Sequence, residues 1–139
     1  MTEQTAAPPS FSARKIPAPS VNVESKPFWD AAAEGRFLIK RCTACGKAHW
    51  YPRSICPHCF SDQTVWEQSP GEGVIYTYSV MHRTPTGPYA IGYVTLDEGP
   101  AVLSNFVDCD LGALAIGQKV KVRFQPTEGG PPVPVFSPV

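Results

Sequence analysis

Two pairs of closely spaced cysteines constrain the fold of this chain more than any other feature. Cys42 and Cys45 form one C-x-x-C pair, Cys56 and Cys59 form a second, and a short stretch rich in turn-forming residues separates them. Four thiolates arranged in this way can surround one metal ion tetrahedrally, as zinc prefers and as iron accepts in rubredoxin-type sites. Cysteines three positions apart are poor disulfide partners, so a pair of disulfides is the weaker interpretation.

The metal site predicted from this spacing is closed and structural, because four cysteines leave no coordination position for water. His49 and His58 lie close in sequence but are expected to stay outside the coordination sphere. The charges nearby suit an anionic thiolate cage: residues 35–61 contain no acidic side chain, and a thiolate is stabilised by neighbouring cations. Five basic side chains lie in this stretch: Arg36, Lys40, Arg41, Lys47 and Arg53. The spacing alone leaves zinc and iron both open.

The composition argues against nucleic-acid binding, and the absence of a long apolar run argues against a membrane protein. Twelve basic and 12 acidic residues give a formal net charge of zero, whereas phosphate-binding proteins need cations in excess. There is no apolar run long enough to span a bilayer and no signal peptide, so we expect a cytoplasmic protein. The fifth cysteine, Cys109, has no spare partner and is expected to be a half-buried residue rather than a nucleophile.

The chain is expected to have three parts: residues 1–24, 25–68 and 69–139. The first is rich in proline, alanine, serine and threonine, and should be disordered or extended. The second opens with a short helix that Ser25 caps and Gly35 ends. The adjacent Phe28 and Trp29 make this helix unusually bulky, so the pair must be buried against the chain itself or against a partner.

The rest of the sequence predicts a mainly β protein. In the second part, short strands at 36–41, 49–53 and 64–67 would flank the cysteines as a rubredoxin-like zinc ribbon, which is too small to hold a core without metal. In the third part, alternating apolar and polar residues predict a five-stranded barrel, with the OB-fold as the commonest candidate. Its strands are predicted at 73–80, 89–96, 101–107, 119–124 and 133–136. The last is expected at an edge because prolines bracket it, and the stretch 110–118 is too short for a full helix.

Several short motifs in this order along the chain are similar to one known family. They are Pro27-Phe28-Trp29, Gly35-Arg36-Phe37, both cysteine knuckles with their flanks, Trp66, Gly71 to Tyr78, Leu96 to Pro100 and Ile116 to Val120. Together they cover residues 25–139. The chain resembles the zinc-ribbon/OB-fold family of acyl-CoA-associated proteins, long known as a domain of unknown function.

This resemblance implies a role that the residues alone do not reveal. Members of the family are accessory subunits of thiolase-superfamily enzymes, including thiolases, retro-aldolases of sterol side-chain breakdown and acyltransferases. The resemblance implies a non-catalytic zinc-binding subunit that docks on a thiolase-like enzyme, in a heterotetramer or larger complex. It would help to form the CoA or acyl-CoA site, in degradation of aromatic compounds or sterol side chains. The family's metal ligands correspond to Cys42, Cys45, Cys56 and Cys59.

Two further sets of residues are candidates for this role. CoA carries a 3′-phosphate and a pyrophosphate, which need two or three cations, and the candidates are Lys40, Lys47, Arg53 and Arg83. Arg53 is favoured because a planar guanidinium pairs with phosphate through two hydrogen bonds, although it is equally suited to bracing the knuckle carbonyls. The helix that carries Phe28 and Trp29 is the candidate docking surface.

Two other functions remain open from the sequence. A zinc ribbon joined to an OB barrel could bind single-stranded nucleic acid, with Tyr76, Tyr78, Tyr89 and Tyr93 as stacking platforms. Residues 66–139 carry seven acidic and four basic side chains, which opposes this function. An iron-loaded electron carrier is also compatible with the knuckles, although the attached barrel is unlike a minimal rubredoxin.

Overall fold

The computed structural model of this protein describes residues 15–139. Most of the proline-rich start, which is predicted to be disordered or extended, therefore lies outside the described residues. Where the description begins, the chain runs along the barrel: Pro17 forms a parallel bridge with Glu128, and the Glu128 amide donates to the Ile16 carbonyl at 2.8 Å.

A two-turn helix, α1 (Lys26–Ala33), follows this segment. Ser25 occupies the N-cap position as expected, but its hydroxyl bonds to Asn22 instead of capping the helix amides. The C-terminal end is closed by Gly35 at φ +78°, a backbone conformation that favours glycine. The amides of Gly35 and Arg36 donate back to Ala32 and Ala31, both at 2.9 Å, which satisfies two carbonyls of the last turn.

Three short strands form the ribbon: β1 (Phe37–Cys42), β2 (Ala48–His49) and β3 (Thr64–Ser69), in the order β2-β1-β3 and all antiparallel. The strand predicted at 49–53 is reduced to two residues. Pro52 lacks an amide hydrogen for the ladder, and Trp50 and Tyr51 turn toward α1, where their rings lie 5.7 and 6.1 Å from the ring of Phe28.

The remaining five strands close into a barrel of the OB type, in the order β4-β5-β6-β8-β7. Their bounds are β4 (Glu72–Met81), β5 (Tyr89–Leu96), β6 (Ala101–Phe106), β7 (Lys119–Gln125) and β8 (Val133–Pro138). Between β6 and β7 the chain makes only a single 3₁₀ turn, Leu111–Ala113, so the expectation that no full helix fits there is confirmed. The predicted fold class, a mainly β chain with a zinc ribbon followed by a five-stranded barrel, is therefore correct.

The placement of the last strand was predicted wrongly. β8 was expected at an edge, yet it lies between β6 and β7 and closes the barrel. It pairs with β7 along its whole length but with β6 only at Phe106 and Phe136. Prolines are tolerated in β8 because one of its two sides makes almost no ladder hydrogen bonds.

One apolar core joins the helix, the ribbon and the barrel. Phe37 at the start of β1 packs against Phe124 of β7 and Phe136 of β8, with ring centroids 6.5 and 6.4 Å apart, and against Phe28 of α1 at 5.8 Å. The same cluster continues into the barrel through Val94 and Phe106. In the described part of the chain, no helix has both the length and the apolar character needed to cross a bilayer.

Candidate metal centre

The four predicted ligand cysteines come together in the ribbon. Their sulfur atoms all lie within 4.8 Å of one another, with Cys42 Sγ 3.6 Å from Cys59 Sγ and Cys45 Sγ 3.7 Å from Cys56 Sγ. A tetrahedral zinc ion with Zn–S bonds of about 2.3 Å separates its sulfurs by about 3.8 Å. A disulfide would need about 2.0 Å. The donor set and its spacing therefore fit one tetrahedral metal ion.

The two knuckles share one backbone hydrogen bond and differ in the amide that approaches the first sulfur. In the first, the Gly46 amide donates to the Cys42 carbonyl at 2.9 Å, and the Cys45 amide points to Cys42 Sγ at 3.4 Å. In the second, the Phe60 amide makes the matching bond to the Cys56 carbonyl at 2.9 Å, but the amide that points to Cys56 Sγ, at 3.4 Å, is that of His58, two residues after Cys56 and not three. These amide dipoles stabilise negative charge on sulfur. Each knuckle thus turns one backbone amide toward its first cysteine sulfur.

The second knuckle has a phenylalanine, Phe60, where the first has a glycine. Gly46 has φ +79°, and Phe60 occupies the corresponding position with φ +65°. A side chain in the left-handed region is strained, so glycine is the usual residue there. The phenyl ring of Phe60 is largely exposed, which means that packing within the chain does not offset this strain.

The cysteine pKa values show why the cage needs a cation. The Cys45 amide is the main cause that lowers the pKa of Cys42 to about 7. The Ser61 amide acts in the same direction on Cys59, but burial and the sulfurs of Cys42, Cys45 and Cys56 outweigh it and raise the Cys59 pKa to about 12. The four sulfurs therefore cannot all be thiolates at neutral pH by themselves, and zinc, when bound, would supply the charge that keeps them deprotonated.

Arg41 connects the cage to the ribbon sheet. Its guanidinium donates to the Gly46 carbonyl at 2.8 Å and to both carboxylate oxygens of Glu67 at 2.9 Å each. It thus braces the first knuckle, a role that the sequence analysis had considered for Arg53. Arg41 directly precedes Cys42, and Glu67 lies on β3, which pairs with β1; opposite charges on two predicted strands were the available signal.

Neither His49 nor His58 belongs to the cluster of four candidate metal ligands. His58 Nε2 lies 3.2 Å from the Ala48 carbonyl, and His49 Nε2 accepts the Arg53 amide hydrogen at 3.3 Å. Burial lowers the pKa of His49, so its ring is neutral at physiological pH. Both rings thus have backbone partners of their own.

The four cations considered for CoA binding occupy different environments. Lys40 is buried, with Nζ 4.4 Å from the centre of the Trp66 ring and 3.4 Å from Thr64 Oγ1, and burial lowers its pKa. Lys47 and Arg53 are exposed on the ribbon. Arg83 is exposed on the barrel, in the loop between β4 and β5. Of these four candidates, two are accessible cations on the ribbon, and Lys40 serves its internal packing.

Phe28 and Trp29 are both inside the molecule. Phe28 is fully buried and Trp29 is 6% exposed. The Trp29 indole donates to the Tyr51 hydroxyl at 2.8 Å. The ring centroids of Phe28 and Trp29 lie 4.8 Å apart. This pair was expected to form part of a docking surface. It belongs instead to the internal packing that joins α1 to the ribbon.

Models of two protein domains match this chain in succession. Residues 29–65 match the rubredoxin-like zinc ribbon domain of ChsH2, and residues 66–125 match the C-terminal OB-fold domain of ChsH2. The first match contains all four cysteines, so the four clustered sulfurs lie in a zinc ribbon.

Several named proteins are similar to this chain in sequence. A probable enoyl-CoA hydratase alpha subunit from Thermomonospora curvata is 31% identical over 99% of this chain, and the match spans 43% of that protein. DUF35 domain-containing scaffold proteins from Methanocaldococcus jannaschii and Pyrococcus furiosus are 36% and 32% identical, over 61% and 68% of this chain. These matches span 64% and 74% of the two scaffold proteins. The chain thus covers less than two thirds of the first two relatives.

Solved structures agree with the sequence matches. A chain of the Ltp2-ChsH2(DUF35) aldolase superposes with a TM-score of 0.75 at 31% identity, over 86% of this chain and 98% of the other. A DUF35 protein of unknown function from Sulfolobus solfataricus shares the fold, with a TM-score of 0.60 at 18% identity, over 73% of this chain and 78% of the other. This chain is a member of the DUF35 family, built from a ChsH2-type zinc ribbon and OB-fold.

Proposed function

We propose that this protein is a non-catalytic accessory subunit that docks on a thiolase-like enzyme and helps to form its acyl-CoA site. The enzyme would be a thiolase, a retro-aldolase or an acyltransferase of acyl-CoA degradation, in a cytoplasmic complex of at least two copies of each subunit. The zinc ribbon is the structural part of this subunit.

The observation that carries this proposal is the similarity to a chain of the Ltp2-ChsH2(DUF35) aldolase, which that name describes as an assembly of two proteins. The naming of other relatives as scaffold proteins supports the same role. The geometry of the ribbon agrees with it, because four cysteines complete a tetrahedron and leave no position for a substrate.

The experiment compares the chain alone, a thiolase-like enzyme of the same organism alone, and the two co-expressed. We expect the two to elute together in size-exclusion chromatography, and we expect acyl-CoA turnover by the complex but not by this chain alone. Turnover of an acyl-CoA by the purified chain without a partner would contradict the accessory role.

The contribution to CoA binding is tested with a matched pair of arginine variants. Arg53 is exposed on the ribbon, so Arg53→Ala should raise the KM of the complex for acyl-CoA about fivefold or more through loss of a charge-assisted phosphate contact. Arg36→Ala is the control, since Arg36 is also exposed and pairs with Glu34 at 2.8 Å. Equal KM values in both variants would remove Arg53 from the CoA site.

A further inference from the structure

Three neighbouring strands of the barrel carry no charge on their outer surface, apart from Glu72 at the start of β4. From Gly73 to Met81 in β4, and throughout β5 and β6, the sequence contains no aspartate, glutamate, lysine or arginine. Solvated strands normally carry such residues at the positions that point away from the core. We call the outward side of these strands the uncharged face; it includes Tyr76, Ser79, Ile91, Tyr93, Ala101 and Leu103.

Large apolar side chains lie side by side at the centre of this face. Tyr93 of β5 pairs directly with Leu103 of β6, and its partner on β4 is Thr77, the neighbour of Tyr76. Tyr76 is 67% exposed, Leu103 50% and Tyr93 43%. Because they lie on three adjacent strands, they form one continuous patch rather than isolated exposed residues.

A β-bulge contributes to this patch. The pairing between β4 and β5 shifts between Ile75 and Thr77, so Tyr76 has no partner in the register. Both Tyr76 and Thr77 are consequently exposed, although neighbouring residues in a regular strand point to opposite sides. Bulges commonly redirect a side chain at a functional position, and this one turns an aromatic ring to the outside.

Strand β7, which pairs with β4 at the border of the face, shows what an ordinary outer surface looks like. The outward residues of β7 are Lys119, Lys121 and Arg123, all exposed, and they alternate with Val120 and Val122. The outer surface of the barrel therefore changes from charged on β7 to uncharged across β4, β5 and β6. Enrichment in tyrosine with depletion of charge is the composition found at the centre of protein interfaces.

We propose that the uncharged face is the surface through which this chain docks on its enzyme subunit, which rests on the accessory role proposed above. Three strands about 4.8 Å apart, each contributing about five residues at about 3.3 Å per residue, span roughly 240 Å². Two copies of the chain that met only through this face would bury about 500 Å², well below the total of about 1,200 Å² for a stable interface. The similar chain of the Ltp2-ChsH2(DUF35) aldolase belongs to an assembly named for two proteins, which favours an enzyme subunit over a second copy as the occupant. That subunit must present an uncharged surface to the face and must also contact residues outside it.

A single-stranded nucleic acid is disfavoured as the occupant. Tyrosines stack on bases, but such grooves also carry cations that follow the phosphates. The uncharged face has none. The neighbouring strand β7 carries basic residues, but it pairs with β4 only from Glu72 to Val74, and this pairing ends before Tyr76.

The test places a charge in the face and, as a control, at an equivalent position elsewhere. Leu103→Lys and Tyr93→Lys should each weaken binding to the co-expressed thiolase-like enzyme at least tenfold, because a lysine would be buried without a partner. Val65→Lys is the matched control: Val65 is an aliphatic strand residue, 47% exposed, in β3 of the ribbon. It should leave the Kd within about twofold, and circular dichroism checks that all three variants fold.

The outcomes separate this proposal from its alternatives. Wild-type affinity in both Leu103→Lys and Tyr93→Lys overturns the face as docking surface while leaving the accessory role intact. A wild-type chain that sediments as a dimer, and as a monomer after Leu103→Lys, assigns the face to a second copy. Binding of oligothymidine that Tyr93→Lys abolishes assigns it to nucleic acid. If the wild-type chain binds no thiolase-like enzyme, the accessory role itself fails.

Discussion

At the scale of single residues, the metal site depends on the chemistry of four sulfurs. Cys42 and Cys56 are buried and Cys45 and Cys59 are exposed, so one sulfur of each knuckle faces the core and one faces outward. The fifth cysteine, Cys109, is half-buried and lies outside the cage, and burial is the main cause that raises its pKa. Cys109 is therefore a natural control for any cysteine substitution.

Substitution of one ligand should cost both metal and fold. We expect Cys56→Ser to lower the zinc content from about one per chain and to unfold the ribbon, because metal binding and folding of so small a unit form one equilibrium. Elemental analysis and thermal unfolding measure the two effects. Cys109→Ser should retain the metal and most of the stability. A Cys56→Ser protein with full zinc content and an unchanged Tm would contradict the assignment of the cage.

At the scale of elements, β1 and β3 are joined by an ion pair that also supports a knuckle. Arg41 and Glu67 interact through two hydrogen bonds, and both side chains are about one-third exposed. The hydrogen bond from Arg41 is the main cause that lowers the pKa of Glu67. A carboxyl group whose pKa falls on folding stabilises the folded state above its ordinary pKa and loses this effect as the pH drops through the folded value.

A double-mutant cycle with Arg41→Ala and Glu67→Gln tests this pair. We expect a coupling of about 1 kcal/mol in the free energy of unfolding, since the pair is two-pronged but partly solvated. The coupling should stay constant between about pH 8 and pH 5, because the lowered pKa keeps Glu67 ionised over that range. Urea unfolding of the four proteins at each pH measures it. A coupling that fades already near pH 6 would contradict the pKa assignment.

At the scale of the whole molecule, the ribbon and the barrel share one core. Phe37 contacts both α1 and the barrel strands β7 and β8, so the metal-dependent part is packed directly on the metal-free part. The three tryptophans, Trp29, Trp50 and Trp66, all lie on α1 or in the ribbon, whereas most of the strand content lies in the barrel. The two halves therefore have separate spectroscopic reporters.

A shared core predicts one cooperative transition for the zinc-loaded protein. Unfolding followed by tryptophan fluorescence and by far-UV circular dichroism should give the same midpoint, because loss of the ribbon uncovers the barrel end of the core. Removal of zinc with a chelator should lower both midpoints together. If chelation moves only the fluorescence midpoint, the barrel is stable without the ribbon and the shared core is energetically unimportant.

The sequence by itself determined the parts of this protein that depend on local chemistry. The C-x-x-C spacing predicted a four-sulfur cage, Gly35 predicted the end of α1, and period-two patterns such as Lys119 to Phe124 predicted the barrel strands. Each of these follows from the geometry of a few consecutive residues, so no distant contact was needed to infer it.

Only the tertiary structure decided which side chains face inward and which face outward. Phe28 and Trp29 gave no sign in the sequence of packing on Trp50 and Tyr51, and β8 gave no sign of closing the barrel. The uncharged face also emerged only when the strand register set Tyr93 beside Leu103. Burial and register depend on contacts between residues far apart in the chain, and such contacts are settled when the elements pack.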